Sequence, residues 1–360
     1  MIVFIYGTTA EAIKLAPIMR RLDDRGVAYQ QWVTFQHTDA LRAAMPELGL
    51  RGPDRVIADG WRGRPLKRPI QMVGWMATVG GWAIRHLGAL RRAPRGGVVI
   101  VHGDTMTTVL GTFIGRLAGV PVAHVEAGLR SGDWRHPFPE ELDRRIVGRL
   151  AAIHYAPTPE TAANLAGRSN VIVTQGNTVK DAVRDSAARG LRTDASSSPY
   201  GLVLLHRFEF ISNPQLVVET LRTLNDHTPV DLRVVVDSYS RDAIERVIGE
   251  HGLSRLTPTA KQEHAAFVAS LQGAQLVVTD SGGVQEESAV FGIPTLIHRM
   301  ATERSEGLGT SALLSHWDQD VVRRFLADAD TRRAAADAES ASPSDIIVED
   351  LIARGFAGTV

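Results

Sequence analysis

The stretch VVIVHGDTMTTVLGTFIGRLAGVPVAHVEAGLR, residues 98–130, decides the fold. Its first five residues are an apolar run that reads as a strand, Gly103, Asp104 and Thr105 punctuate the end, a helical stretch begins near Met106, and residues 120–125 return as a second apolar run. Continuous apolar runs, rather than alternating ones, mark strands covered on both faces, so this strand–helix–strand pattern predicts the βαβ unit of a parallel sheet with a right-handed crossover. Outward from it the same rhythm holds: residues 2–6, 31–35, 153–156 and 171–174 read as further strands, and helices start near Ala10, Asp39, Arg68, Pro139 and Thr158.

The rhythm breaks over residues 189–199, where Gly190, Thr193, Asp194 and three serines form a polar stretch suited to a linker. It then resumes, with strands over 202–205, 232–236, 276–279 and 295–298 and helices over 215–225, 241–250, 264–271 and 283–290. After Ser315 a helical tail runs through Arg354, interrupted by a polar run over 339–345. The expected architecture is α/β, two doubly wound Rossmann-like domains facing a central cleft: residues 1–188, residues 199–340 and a tail over 341–360. Loops at the carboxyl ends of parallel strands are where such sheets bind ligands.

Composition narrows the function. Lys plus Arg and Asp plus Glu both total 40, so no net field draws the chain to nucleic acid or to an anionic membrane, and phosphate recognition must be local. The absence of cysteine excludes disulfides, thiolate metal sites and cysteine nucleophiles, and points to a cytoplasmic protein. The amino terminus reads as a first strand, without the basic start and small-residue cleavage site of a signal peptide. The apolar run at 72–84 is shorter than the ~20 residues of a membrane span and reads as a buried or interface helix.

Several strand ends carry chemistry. Asp104 follows the strand ending at His102, where it can either serve a reaction or cap the next helix. Glu126 closes the following strand, and Glu140 and Glu141 come after a loop rich in Gly, Pro, Trp and His. Asp104, Glu126 and Glu140 can converge at one rim, as acid–base work requires, whereas Glu141 reads as a first-turn residue favoured by the helix dipole. His102, Asp104, His124 and Glu126 lack known ligand spacing, so no metal is expected. In the second half, Ser281, Gly282 and Gly283 open a helix directly after a strand, an arrangement that lets backbone N–H groups seat a diphosphate. Glu287 can accept from ribose hydroxyls, or be an ordinary solvated glutamate; Arg304 can neutralise phosphate, or be a surface residue. His206, at the end of the strand over 202–205, can steady a leaving diphosphate. Neither a dinucleotide fingerprint nor a Walker A sequence is present, so no cofactor is expected.

Read together, these residues resemble the UDP-N-acetylglucosamine 2-epimerase family, whose two-domain fold is the one called GT-B in glycosyltransferases. The resemblance spans nearly the whole chain. It is carried by Gly7-Thr8 with Glu11-Ala12-Ile13-Lys14, Gln36-His37, His102-Gly103-Asp104-Thr105, residues 124–130 and Pro139-Glu140-Glu141, then by Gly176-Asn177-Thr178-Val179, His206-Arg207, residues 280–287 and Thr302-Glu303-Arg304.

The resemblance implies inversion at C2 of a UDP-sugar without a cofactor, by anti elimination of UDP to 2-acetamidoglucal and re-addition after the proton returns on the other face. It implies that Asp104, Glu126 and Glu140 are the acid–base carboxylates and that His206, Lys14 and Arg304 face the diphosphate. Ser281, Gly282, Gly283 and Glu287 would hold phosphate and ribose, and Gln262 and Phe267 the uracil. A homodimer is the family expectation, with the Trp75 to Trp82 region as its interface. Three departures stand out: Thr9 and Ala10 replace an Arg-Pro pair, Phe210 replaces an Asn, and Asp237-Ser238-Tyr239 stands where many relatives carry a His of a regulatory substrate pocket. The last departure argues against allosteric control by substrate. Hydrolysing relatives, and transferases or nucleotide-sugar binders on the same fold, are the rival readings.

Overall fold

A computed structural model describes residues 1–36, 38–66, 69–92, 96–132, 139–189, 198–336 and 341–357. His37, most of the expected linker and most of the loop before Glu140 lie outside these residues. The chain divides into two compact units, Met1–Ala182 joined by Ala341–Val360, and Val183–Ser340.

The first unit runs β1 (Ile2–Tyr6), α1 (Thr9–Asp24), β2 (Tyr29–Val33), α2 (Thr38–Glu47), β3 (Arg55–Val56), α3 (Pro69–Arg92), β4 (Val98–His102), α4 (Met106–Ala118), β5 (Val122–Val125), α5 (Glu140–Leu150), β6 (Ile153–Ala156), α6 (Pro159–Ala163) and β7 (Val171–Val173), followed by α7 (Val179–Ala188). Its strands form one sheet in the order β3-β2-β1-β4-β5-β6-β7, every pairing parallel. Successive residues of β1 point to opposite faces, as strand geometry demands. Ile2, Phe4 and Tyr6 pack with Leu15, Ile18 and Leu22 of α1, while Val3 and Ile5 pack with Trp75 and Val79 of α3 and Val109 and Ile114 of α4. With both faces covered, most positions of the central strands are apolar, which is why these strands are legible as apolar runs.

The second unit runs β8 (Tyr200–Leu204), α8 (Phe208–Ile211), α9 (Pro214–His227), β9 (Asp231–Val236), α10 (Arg241–His251), β10 (Leu256–Ala260), α11 (His264–Gln272), β11 (Val277–Thr279), α12 (Gly282–Val290), β12 (Thr295–Ile297), β13 (Ala312–Leu314) and α13 (Gln319–Asp328). Its sheet is parallel throughout, in the order β10-β9-β8-β11-β12-β13. Val203, Val234 and Val278 pack against α9, α10 and α13, and Leu202, Val235 and Val277 against Phe267 and Leu271 of α11. In each sheet the winding reverses once, between β1 and β4 and between β8 and β11, and such switch points open the ligand crevices of α/β folds.

The last helix, α14 (Pro343–Ala353), belongs to the first unit. Ile347, Val348 and Leu351 are buried in the core under α1. Around that seam Asp345 pairs with Arg21 at 3.2 Å and Arg25 at 2.9 Å, Tyr155 donates to Asp350 at 2.8 Å, and the Ser344 N–H donates to Asp181 at 2.8 Å.

Within the stretch from Trp75 to Trp82, Trp75 itself belongs to the core: it is fully buried and its indole N–H donates to the Thr34 carbonyl at 2.9 Å. Among the described residues of α3, the exposed large apolar side chains are Ile70, Val73 and Ile84. Among the described residues no helix is long and apolar enough to cross a membrane.

Candidate active site

The first unit gathers its charged side chains at the carboxyl ends of β1, β4 and β5, beside the switch point. Thr8 caps α1 and Glu11 returns the contact, a capping box in which the Glu11 carboxylate accepts from the N–H groups of Gly7 at 3.0 Å and Thr8 at 2.8 Å. Thr105 also donates to Glu11, at 2.8 Å, and ties this turn to the one after β4. Burial pushes the Glu11 carboxyl up, against these hydrogen bonds.

One turn further along α1, Lys14 reaches Glu126. Its Nζ lies 2.5 Å from Glu126 Oε2, the Asn177 side-chain amide donates to the same oxygen, and His102 Nε2 stands 3.7 Å away. Lys14, Asn177 and Glu126 are all buried, a setting in which a carboxylate is tolerable only with such partners. Glu126 has a φ of 66°, and this left-handed turn at the end of β5 carries its side chain to Gly103, where an added Cβ would sit 3.6 Å from Glu126 Oε1. Gly103 itself has a φ of +67°. His124, two residues earlier, donates from Nε2 to the Gly103 carbonyl at 2.7 Å and so fixes the turn that presents Asp104. Burial holds the His124 imidazole down at about 4, hence neutral.

Asp104 does not cap α4. Thr105 does, accepting from the Thr108 N–H, and the half-buried Asp104 instead pairs with Arg144 of α5. The first turn of α5 is unusually charged. Glu141, expected as an ordinary first-turn residue, is fully buried and gathers Arg144 at 3.4 Å, Arg145 at 3.0 Å and Arg130 at 4.0 Å, while accepting from the Ser131 N–H at 3.2 Å. Glu140, half-buried beside it, has an oxygen, Oε2, that is buried without a hydrogen-bond partner. Asp143 is buried as well. Burial, with the charges of Asp104 and Glu140 adding to it and Arg144 opposing, pushes its carboxyl up to about 7. Asp104, Glu126 and Glu140 therefore share one rim of the first unit, joined by the Gly103 turn and by Asp143.

In the second unit the rim follows β8 and β11. Asp280, at the end of β11, accepts from the N–H groups of His206 at 2.8 Å and Arg207 at 2.9 Å, locking the two strand ends together. Burial pushes the Asp280 carboxyl up, opposed by His206 and these amides. The His206 ring stands 3.6 Å from Asp237 and 3.9 Å from Asp280. Burial raises the Asp237 carboxyl, but the N–H groups of Ser240 and Tyr239 outweigh it and bring the group below its usual range.

Ser281 caps α12, and Gly282 and Gly283 occupy the first turn, whose N–H groups have no intrahelical acceptor. A Cβ at Gly282 would lie 3.4 Å from the Arg304 side chain. Arg304 is buried and pairs with Glu286 at 2.9 Å, so it is no surface arginine. Glu287 is likewise no solvated glutamate: it is buried and bound by His264 at 2.9 Å. Phe267 packs in the core beside Tyr200 and Leu202, and Gln262, exposed, accepts from Ser270 at 3.0 Å. Phe210, in place of the expected Asn, is buried edge-on against His298 with ring centroids 5.7 Å apart.

Comparison with known proteins gives this arrangement its context. The family model described as UDP-N-acetylglucosamine 2-epimerase matches residues 70–343. The chain is 32% identical to the UDP-N-acetylglucosamine 2-epimerase of Escherichia coli (strain K12) over 365 residues, 93% of each chain. It is similar to the crystal structure of the Neisseria meningitidis UDP-GlcNAc 2-epimerase bound to UDP-GlcNAc, with TM-score 0.81, 25% identity and coverage of 98% and 99% of the two chains. It is similar also to the Staphylococcus aureus MnaA structure with UDP, with TM-score 0.81, 27% identity and coverage of 99% and 97%.

Proposed function

The chain belongs to the UDP-N-acetylglucosamine 2-epimerase family, and from that membership we propose that it interconverts UDP-N-acetylglucosamine and UDP-N-acetylmannosamine without releasing the sugar. Residues 1–188 supply the acid–base groups and residues 199–340 hold the nucleotide. The observation that carries this reading is the single rim on which Asp104, Glu126 and Glu140 meet.

The C2 proton is weakly acidic, so elimination needs a placed base, a protonated partner and stabilisation of the leaving UDP. Asp104, Glu126 and Glu140 are the acid–base groups in this reading. Lys14, paired with Glu126, also faces the diphosphate in this reading. His206 and Arg304 meet the diphosphate with the amides of the Ser281–Gly282–Gly283 turn, Glu287 takes the ribose hydroxyls, and Gln262 and Phe267 border the uracil. The absence of cysteine supports a cytoplasmic setting, and exposed Ile70, Val73 and Ile84 on α3 support a homodimer.

The test is incubation with UDP-N-acetylglucosamine in D2O, following C2 by NMR. Deuterium at C2 in intact UDP-sugar of both configurations is the expected result. Free N-acetylmannosamine with UDP would mark hydrolysis instead, and no exchange would reject the epimerase reading. Asp104→Asn should abolish exchange while leaving UDP affinity within about twofold, because general acid–base groups supply roughly 10²- to 10⁴-fold of rate and little ground-state binding.

A further inference from the structure

Asp143 is the third acid in the first turn of α5, after Glu140 and Glu141, and the family reading does not use it. It is 3% exposed, and its Oδ2 is buried without a hydrogen-bond partner, as is Oε2 of Glu140 three residues earlier. Residues three apart stand on one helix face with Cβ atoms about 5 to 6 Å apart. The charged groups acting on Asp143 are Glu140 and Arg144 of its own helix and Asp104 from the turn after β4. Arg144 spans Asp104 and Glu141. Two ionised carboxylates side by side, each with a buried oxygen lacking a donor, carry a heavy desolvation cost. A proton on Asp143 removes one of these two charges and lowers that cost.

We propose that Asp143 is a positioning residue: it holds a proton next to Glu140, and so keeps one acid protonated beside Asp104 at neutral pH. The proton on Asp143 stands on its burial, its unpartnered oxygen and its charged neighbours; its use in catalysis rests on the epimerase reading above. A reaction that removes a proton from one face of C2 and returns one to the other needs an ionised and a protonated carboxyl together. A carboxyl that stays protonated up to about 7 meets the second need.

Carbon-13 NMR of the side-chain carboxyl groups, in protein labelled at Asp and Glu, tests the proton directly. A folded wild-type protein should show an Asp resonance titrating near 7. That resonance should vanish in Asp143→Asn and move to lower pH in Glu140→Gln, where one neighbouring negative charge is gone. If every Asp in the wild type titrates below about 5, or if the resonance survives Asp143→Asn, the proton on Asp143 is rejected. C2 exchange in D2O tests the catalytic use. Asparagine keeps the shape and an uncharged side chain, so a merely structural role survives the change. Asp143→Asn should instead lose an ionisation from the pH profile and exchange at least about tenfold more slowly at pH 7, with UDP affinity unchanged. A profile matching wild type overturns the positioning role. A wild-type protein that exchanges nothing rejects the epimerase reading itself, and the titration still decides the proton.

Discussion

Glu126 occupies the left-handed backbone region, which costs a non-glycine residue about 1 to 3 kcal/mol and persists only where the surroundings impose it. Here the imposition is visible: Lys14 and Asn177 both hold one oxygen of its carboxylate. Removing one partner of a buried ion pair strands the other, so Lys14→Met should destabilise the folded protein by about 3 kcal/mol. Urea unfolding of the variant checks it, and a loss under about 1 kcal/mol would show that the pair contributes little. The strand-end position of Glu126 was legible in the sequence, because an acid after an apolar run is a local signal. Its partners were not, since Lys14 precedes it by 112 residues and Asn177 follows it by 51. The Gly176-Asn177-Thr178-Val179 block carries the family resemblance, and the amide of Asn177 on Glu126 gives it a physical reason. Glu141 and Asp143 were misread or passed over for a related cause: a charged residue in a first turn looks solvated until the tertiary fold buries it.

Among the elements, the strands that sequence reading missed are β3, β10 and β13, all of them sheet edges. An edge strand pairs on one side only, so it needs no unbroken apolar run, and Pro258 is tolerated within β10 for that reason. The paired strands β5 and β6 bring His124 and His154 into register. Burial holds both imidazoles down at about 4. An unfolded histidine titrates near 6.5, so folding favours the neutral rings, and the stability they contribute is present above ~6.5 and lost as pH falls toward the folded value. Each should steepen the acid decline by up to about 1.4 kcal/mol per pH unit in that window. Thermal unfolding between pH 6.5 and 4 should therefore fall less steeply in His154→Gln than in wild type. An equal slope would mean that His154 is charged in the folded state.

At the scale of the molecule, the second unit interrupts the first, whose core is completed by α14. Two doubly wound sheets were legible because apolar runs and helical stretches alternate twice with a polar break between. The tail's destination was not, since nothing local in residues 343–353 names α1 as its neighbour. Asp181 anchors the return by accepting from the Ser342 hydroxyl and the Ser344 N–H, at 3.0 Å and 2.8 Å. Asp181→Ala leaves the buried Ser344 N–H without that acceptor and should cost about 1 to 3 kcal/mol. Hydrogen exchange should show the loss as weakened protection of α14 and of the α1 surface beneath it, whereas protection lost evenly throughout the chain would argue against a local anchor.

Because α14 follows the whole of the second unit along the chain, the unit begun first is completed only after residues 183–340 have been made. Nascent chains stalled anywhere before Pro343 would expose the apolar flank of α1 that Ile347, Val348 and Leu351 otherwise cover. Such chains are natural clients for chaperones, and emergence of residues 343–353, more than synthesis of residues 1–182, sets when the core of the first unit is complete.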